Sequence, residues 1–318
     1  MNESDSEKIA TYLKNKNYAS ANSEESADLV IINMCSVRQS AVDRVYSKIK
    51  NLKLKIKNCK IILTGCVLEK DKKKFQEMGV KFKKFNLDKI KPKIGYVPIM
   101  QGCNNFCSYC VVPYAKGRER FKPEKDIICE IKHLLRPPAC RQAGKKIILL
   151  GQNVNSYPDF VELLQKITAL KGDFKISFLT NHPKDFSDAL IDEIAKNKKI
   201  PKEIHLPVQS GDNKILRAMN RKYTREQYLD LVRKIKKKIQ GVKLTTDVIV
   251  GFPGETEKQF QNTVKLFKQV GFSNAYIAKY SPRAGTAAYF LPDNISPVKK
   301  KERARQLKTI LPTRKVFR

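Results

Sequence analysis

The chain has 318 residues, of which 41% are hydrophobic, and its formal net charge is +33 at pH 7. This length suffices for one large hydrophobic core or two smaller ones, and the absence of any run of about 18 apolar residues argues against a transmembrane helix. The basic excess, 49 Lys and 15 Arg against 31 acidic residues, favours contact with a phosphate backbone, although lysine-rich helix faces are often merely solvated. The acidic, polar start of the chain is unlike a signal peptide, and we predict a cytoplasmic protein.

The first third of the chain alternates helices with short apolar strands. A polar helical segment around Ile9–Leu13 precedes Leu29–Ile32, a β-branched run that is typical of a buried parallel strand. The lysine-rich pattern of Ser36–Ile56 predicts a helix. A second buried strand, Lys60–Thr64, follows, and then a helix over Val67–Met78. This rhythm predicts a small parallel sheet covered by helices.

A linker over Lys89–Lys93 follows, and we place a boundary near residue 92 between domains 1–92 and 93–318. The second domain contains six strand candidates separated by helical stretches. The strand candidates are Gly95–Met100, Lys146–Leu150, Phe174–Phe178, Glu203–Leu206, Val242–Val250 and Asn274–Tyr280. Six such alternations predict a partial (β/α)6 barrel, and the fold class is α/β. In barrels of this kind the active site lies at the C-terminal ends of the strands.

Three closely spaced cysteines follow the first barrel strand. They are Cys103, Cys107 and Cys110, in the pattern Cys-x3-Cys-x2-Cys. Cysteine thiolates are the usual ligands of iron–sulfur clusters, and a cubane cluster takes four ligands, so three cysteines leave one iron open for another molecule. Zinc is the alternative, but it prefers two paired cysteine units or added histidines. None of the three histidines lies beside the motif.

The remaining cysteines divide into two groups. Cys35 and Cys66 come just past two neighbouring predicted parallel strands, at the edge where α/β sheets bind ligands. We interpret Cys59, Cys129 and Cys140 as ordinary core residues. Their irregular spacing, in a chain for which we predict no leader, argues against a disulfide framework and favours metal binding or redox chemistry.

Several longer segments resemble the radical S-adenosylmethionine (SAM) enzymes and, among these, the methylthiotransferases. The segments that carry the resemblance are Val97–Cys103, Tyr109–Tyr114, Gly117–Arg120, Leu149–Tyr157, His205–Gly211, Ala218–Arg221, Thr245–Thr256 and Lys279–Arg283. Asn33–Arg38 and Leu63–Cys66 resemble two of the three cluster-binding segments of the family. The resemblance covers nearly the whole chain. It implies an N-terminal α/β domain of the methylthiotransferase type followed by a radical SAM barrel.

The resemblance also implies a chemistry. Cys103, Cys107 and Cys110 would hold a [4Fe-4S] cluster whose open iron binds SAM, and reduction would cleave SAM to methionine and a 5′-deoxyadenosyl radical. That radical would abstract hydrogen from carbon 2 of isopentenylated adenosine at position 37, next to the anticodon of tRNA. A second [4Fe-4S] cluster, on Cys35 and Cys66, would supply sulfur, and a second SAM the methyl group. The implied partners are the tRNA anticodon stem-loop and a reductant protein such as flavodoxin or ferredoxin.

Polar residues at the ends of the barrel strands are candidates for binding SAM. Gln152, Asn153 and Asn155 follow the second strand, and Asp247 and Glu255 bracket the fifth strand and its glycine-rich turn. Polar side chains at strand C-termini suit ligand binding. Turn or capping chemistry is the competing interpretation for each of them.

The sequence departs from the family pattern in three places. Met1–Lys8 resembles what directly follows the first cluster cysteine of the family, so we expect the first strand and the third ligand to be missing and the second cluster to bind poorly. We also expect the C-terminal RNA-binding β-domain of the family to be missing, so that tRNA affinity should rest on the basic surface. Arg136–Arg141 resembles an insertion, and its Pro–Pro pair predicts a surface loop.

Three alternatives remain open at this stage. Within the family, the substrate could be threonylcarbamoyl-adenosine in tRNA or an aspartate of a ribosomal protein. From a different class, the chain could be a non-catalytic iron–sulfur or zinc protein that binds RNA. The runs Gly151–Tyr157 and Gly117–Arg120 favour isopentenylated adenosine.

Overall fold

The computed structural model describes residues 2–36, 39–56, 59–87, 90, 95–136 and 146–312. The N-terminal domain is built on a three-stranded parallel sheet. Its strands are β1 (Leu29–Cys35), β2 (Lys60–Cys66) and β3 (Lys81–Phe82), in that spatial order. Its helices are α1 (Asn2–Lys14), α2 (Gln39–Lys55) and α3 (Glu69–Gln76). The parallel sheet and its helices confirm the rhythm that the sequence predicts.

The core of this domain lies between the sheet and its helices. Ile61 and Leu63 of β2 are buried against Ile49 of α2 and Phe75 of α3. Leu63, Ile49 and Phe75 are all fully buried, and burying an aliphatic or aromatic side chain of this size contributes about 1.5–3 kcal/mol. The apolar run of β2 therefore accounts for both the strand and its central place in the sheet.

Within its described residues, the second domain contains six parallel strands in two sheets of three. One sheet has the order β4 (Tyr96–Pro98), β7 (Lys146–Leu150), β8 (Lys175–Phe178). The other has the order β11 (Asn274–Lys279), β10 (Lys243–Val250), β9 (Glu203–His205). The α-helices between and after these strands are α4 (Val112–Lys116), α5 (Glu124–Leu134), α6 (Phe160–Thr168), α7 (Asp188–Lys196), α8 (Asn213–Ala218), α9 (Arg225–Lys238), α10 (Glu257–Val270) and α11 (Pro297–Ile310).

One continuous hydrophobic core joins both barrel sheets to their helices. Along β10 the side chains alternate between fully buried, as at Val248 and Val250, and half-buried, as at Asp247 and Ile249. A strand places successive side chains on opposite faces. Val248 and Val250 of the buried set belong to the core shared with the helices, and Asp247 and Ile249 of the half-buried set line a cavity.

The structure corrects three details of the sequence prediction. The strand predicted over Gly95–Met100 is divided, because Met100 and Gln101 form β5, which pairs antiparallel with β6 (Arg120–Phe121). Cys35 and Cys66 are the last residues of their strands, not residues beyond them. Cys129 is exposed on α5 and is not a core residue.

Some predictions cannot be compared with the structure. The domain boundary near residue 92, most of the loop over Arg136–Arg141, and Cys140 lie outside the described residues. Within the described ranges, no helix is both long enough and apolar enough to span a bilayer.

Candidate active site

The cysteine loop, residues 102–110, leaves the barrel at the C-terminal end of its first strand. Gly102 opens it with a φ of +86°, and a Cβ atom there would lie 2.0 Å from the carbonyl oxygen of Arg118. Only glycine avoids both the strain and the clash. The N–H of Gly102 donates to Oε1 of Gln152 at 2.7 Å, and the N–H of Cys103 donates to the carbonyl of Gly117 at 3.2 Å. Close backbone packing therefore places the first cysteine.

Polar donors face the sulfur atoms of this loop. Nη1 of Arg221 lies 3.5 Å from Sγ of Cys107, and Nδ2 of Asn105 lies 3.4 Å from Sγ of Cys103. Burial raises the pKa of the Cys103 thiol and raises the pKa of the Cys110 thiol to about 12. Metal binding requires thiolates and therefore displaces these protons. The guanidinium and the amide are the groups that stabilise sulfur carrying negative charge.

The donor chemistry of the loop fits an iron–sulfur cluster. Three thiols lie on one short loop within electrostatic reach of one another, and hydrogen bonds to cluster sulfurs are a recognised way in which a protein tunes such a cluster. No group of three or more His, Cys, Asp or Glu side chains in the described ranges is placed to enclose a single metal ion. In a cubane cluster each cysteine binds a different iron. The lack of a site for a single metal ion among the described residues therefore does not bear on a cluster at these cysteines.

Cys35 and Cys66 are neighbours at the edge of the N-terminal sheet. They are paired in register at the C-terminal ends of β1 and β2, and the N–H of Ser36 donates to the carbonyl of Cys66 at 2.8 Å. Burial raises the pKa of the Cys66 thiol, while the charges of Lys116 and Arg283, both from the barrel domain, act to lower it. The Cys35–Cys66 edge therefore faces the barrel near α4, directly after the cysteine loop. The structure thus places the two cysteines side by side, and their role as cluster ligands stays a prediction.

A cavity of about 590 Å³ lies between the two domains. The cysteine loop contributes Tyr109 and Cys110 to its wall, β10 and β11 contribute Asp247 and Tyr276, and the start of α2 contributes Gln39. It has room for a nucleoside-sized molecule, since ligand pockets commonly span about 300–1,000 Å³. Of the predicted SAM contacts, Asp247 is the one that lines it.

A second polar cluster lies at the ends of β7 and β8. Asn153, Asn181 and His182 are at most 4% exposed, yet Oδ1 of Asn153, Oδ1 of Asn181 and Nε2 of His182 have no hydrogen-bond partner. An unpartnered buried polar atom costs about 1–3 kcal/mol, so such a group indicates a ligand or an ordered water. Burial, with the positive charges of Arg221 and Lys184, lowers the pKa of His182 to about 2. The cluster is therefore neutral and fits the amino, carboxylate or hydroxyl groups of SAM.

The other predicted SAM contacts are hydrogen-bonded within the protein. Oε1 of Gln152 accepts from Gly102, and Asn155 exchanges two hydrogen bonds with the backbone of His182. Glu255 is 3% exposed. Its carboxylate accepts from the N–H of Gly251 at 2.7 Å and pairs with Arg303 of α11 at 2.9 Å.

All three side chains shape the turns around the site. Their contact with SAM remains a prediction.

Sequence reasoning missed Asn181, His182, Arg221 and Arg283. Arg221 and Arg283 are the last residues of the segments Ala218–Arg221 and Lys279–Arg283, which carry the family resemblance. That resemblance was the signal that could have identified them. Their partners lie too far away along the chain for spacing to reveal them: Arg221 bonds a sulfur 114 positions away.

Comparison with known families agrees with this geometry. The model of the radical SAM superfamily matches residues 97–267, and a family described as uncharacterized protein family UPF0004 matches residues 1–84. The first match contains the cysteine loop and five of the six barrel strands. The second contains Cys35 and Cys66.

The solved structures that resemble the chain are radical SAM enzymes. The radical SAM methyltransferase TsrM from Kitasatospora setae aligns with a TM-score of 0.58 and 14% identity over 82% of this chain and 65% of its own. The cobalamin-dependent radical SAM enzyme OxsB aligns with a TM-score of 0.54 and 12% identity over 96% of this chain and 51% of its own. At these identities the likeness establishes the fold.

Curated relatives are much closer in sequence. Proteins named tRNA-2-methylthio-N(6)-dimethylallyladenosine synthase from Clostridium botulinum, Carboxydothermus hydrogenoformans and Finegoldia magna are 41%, 39% and 37% identical to the chain. The alignments cover 96–98% of the chain and 76–80% of those proteins. On this evidence the chain belongs to the family of radical SAM tRNA methylthiotransferases.

Proposed function

We propose that this enzyme transfers a methylthio group to carbon 2 of isopentenylated adenosine at position 37 of tRNA, using two [4Fe-4S] clusters and two SAM molecules. One observation carries the proposal. Cys110 of the cysteine loop and Gln39, four residues after Cys35, line the same cavity. The reaction needs a radical source and a sulfur donor at the same carbon. The two cysteine groups must therefore lie on either side of one substrate. The names of the curated relatives from Clostridium botulinum, Carboxydothermus hydrogenoformans and Finegoldia magna support this substrate.

The cysteine loop is assigned to the cluster that binds SAM. Cys103, Cys107 and Cys110 are its ligands, and Arg221 and Asn105 stabilise the thiolate sulfurs. With SAM bound, this cluster supplies the radical that activates a C–H bond, and the second cluster supplies sulfur. The residues of the chain hold these groups in place, neutralise their charge and exclude water from the cavity between them.

SAM lies, in this proposal, beside the neutral polar cluster at the ends of β7 and β8. The free oxygens of Asn153 and Asn181 accept hydrogen bonds from its amino or hydroxyl groups. His182 Nε2 carries the proton, because Nδ1 accepts from the N–H of Lys184, and it donates to an oxygen of the ligand. Asp247 lines the cavity and is a candidate contact of SAM or, alternatively, of the substrate base.

The β10–β11 wall of the cavity suits a purine base. Tyr276 is 62% exposed, and single-stranded RNA bases are commonly held by stacking on aromatic side chains. The Asp247 carboxylate can accept from the N–H on the exocyclic nitrogen of adenine, and Ile249 and Ile277 provide apolar contact for an isopentenyl group. The +33 charge attracts the tRNA backbone. A flavodoxin or ferredoxin as reductant and a cytoplasmic location remain predictions.

Cysteine variants test whether the cysteine loop is needed for SAM cleavage and the Cys35–Cys66 edge for sulfur insertion. The protein is reconstituted anaerobically with iron and sulfide and incubated with SAM, reductant and tRNA, and 5′-deoxyadenosine and methylthio-nucleosides are measured by mass spectrometry. Cys103→Ala should abolish both products. Because the third ligand of the second cluster is expected to be missing, the unaltered chain should form little methylthio product. Cys66→Ser should retain 5′-deoxyadenosine and lose the methylthio product that the unaltered chain forms. Cys129→Ser, on the exposed face of α5, is the control and should retain both.

Two outcomes would refute parts of the proposal. Full methylthio transfer by Cys66→Ser, or a colourless zinc protein after reconstitution, would refute the two-cluster assignment. The substrate is tested with tRNA that carries isopentenyl-adenosine or threonylcarbamoyl-adenosine as its only modified adenosine. Product from the second tRNA alone would refute the substrate and leave the cluster assignment intact.

A further inference from the structure

A short segment of the barrel domain, residues 283–288, contacts both cysteine groups. We call it the bridging segment. At one end, Nε of Arg283 donates to the carbonyl of Ser36 at 2.9 Å, and Ser36 directly follows Cys35. At the other end, the N–H of Ala288 donates at 2.7 Å to the carbonyl of Ser108, which lies within the cysteine loop. A span of six residues therefore bonds the backbone beside two sets of predicted cluster ligands.

The Arg283 side chain is buried and fully directed at the N-terminal domain. It is 4% exposed, and Nη2 forms an ion pair with Asp71 of α3 at 2.7 Å. Nη1 donates to Oε1 of Gln39 at the start of α2. A planar guanidinium presents several donors in a rigid fork, and here the fork reaches three separate acceptors. A buried charge needs this pairing, because an unpaired one is strongly destabilising.

The hydrogen bonds continue from Arg283 to both cysteine-bearing strands. Ser36 accepts from Arg283 and donates its own N–H to the carbonyl of Cys66. The Ser36 hydroxyl accepts from the N–H of Leu68 at 3.4 Å. The ends of β1 and β2 are thereby tied to one guanidinium.

The bridging segment is itself held in shape. The hydroxyl of Thr286, which is 2% exposed, donates to the carbonyl of Arg283 at 2.7 Å. The Tyr280 hydroxyl donates to the carbonyl of Ala288 at 2.7 Å. Because these hydrogen bonds make the segment rigid, they fix the distance between its two ends. A flexible loop would not.

We propose that Arg283 is a positioning residue which, through the bridging segment, sets where the Cys35–Cys66 edge lies relative to the cysteine loop. The inference rests on the proposed function for its catalytic consequence. Sulfur insertion requires the two groups to meet at one carbon, and SAM cleavage requires the cysteine loop alone. Replacing Arg283 should therefore lower the amount of methylthio product formed per SAM cleaved. It should affect the rate of SAM cleavage far less.

The test uses Arg283→Lys and Arg283→Met in the full chain. Arg283→Lys keeps the charge and loses the fork, so it serves as the measuring variant if Arg283→Met does not fold. Hydrogen exchange of the metal-free protein is the first readout. Exchange at the N–H groups of Ser36 and Leu68 should rise in both variants, with the N–H groups of β7 and β10 unchanged. Unchanged exchange at Ser36 and Leu68 would overturn the positioning role whatever the function.

The second readout is the ratio of methylthio product to 5′-deoxyadenosine. We expect it to fall by roughly a hundredfold, because a displacement of about 1 Å in a reacting geometry has effects of that order. Lys8→Met is the matched control. It removes another buried ion pair between the domains, Lys8 of α1 with Glu130 of α5 at 3.5 Å, and should leave the ratio unchanged. An equal loss in Lys8→Met would overturn the proposal. It would show that any contact between the two domains, and not Arg283 in particular, determines the ratio of methylthio product to 5′-deoxyadenosine.

Discussion

Nη1 of Arg221 lies 3.5 Å from Sγ of Cys107, and both groups are buried. The same guanidinium donates to the hydroxyl of Tyr223 at 2.9 Å and to the carbonyl of Pro207 at 3.0 Å. A fixed positive charge therefore lies beside a predicted cluster ligand. Charge and hydrogen bonds to sulfur are among the factors that set the potential of an iron–sulfur cluster.

Replacing Arg221 should make the SAM-binding cluster harder to reduce. Arg221→Met removes a positive charge and an N–H···S contact, both of which favour the reduced, more negative state, so the reduction potential should shift to a more negative value. Redox titration of the reconstituted protein followed by electron paramagnetic resonance measures it. Arg217→Met, at an exposed position of α8, is the control. An unchanged or more positive potential in Arg221→Met would contradict the role given to this residue.

Gly102→Ala should be more damaging than Gly117→Ala. Both glycines have a positive φ, of +86° and +80°, but a Cβ at Gly102 would lie 2.0 Å from a carbonyl oxygen, while nothing lies within 4 Å of one at Gly117. The strain alone costs about 1–3 kcal/mol, and Gly102→Ala adds displacement of the cysteine loop. Chemical denaturation and the iron content after reconstitution measure the two effects. Equal losses in the two variants would show that the close approach at Gly102 is tolerated.

Truncating Asn181 should weaken SAM binding. Its free oxygen is buried beside His182 and Asn153, and loss of one hydrogen bond to a ligand costs about 1 kcal/mol, or roughly fivefold in Kd. Equilibrium binding of SAM to the reconstituted protein measures the change in Asn181→Ala. The control is Asn197→Ala, whose amide already donates to Thr168 and Glu193. Undiminished affinity in Asn181→Ala would place SAM elsewhere.

His182 should make the fold sensitive to acid. Its pKa is lowered to about 2, whereas the unfolded chain takes up the proton near pH 6.5. Below that pH the unfolded state binds one more proton, so stability falls as the pH drops from about 6.5 towards 2, by at most about 1.4 kcal/mol per pH unit. In His182→Gln this part of the slope should vanish. Denaturation curves between pH 7 and pH 4.5 test it, and parallel slopes for the two proteins would contradict the prediction.

Much of the architecture could be predicted because it follows from local patterns. Apolar runs such as Lys60–Thr64 and Lys146–Leu150 become central parallel strands, since a strand buried on both faces needs apolar residues at every position. The division of Gly95–Met100 was missed because Met100 pairs with Phe121, a partner 21 positions away along the chain. No periodicity within the first strand signals that pairing.

The site divides in the same way. Spacing along the chain determines by itself that Cys103, Cys107 and Cys110 form one group, because neighbouring residues on one short loop cannot lie far apart. Only the tertiary structure decides which distant side chains meet that group. Arg221 reaches Cys107, and Arg283 reaches Ser36 and Asp71 across the domain boundary. A buried guanidinium takes whichever acceptors the packed core leaves within its reach, and that choice depends on the whole fold.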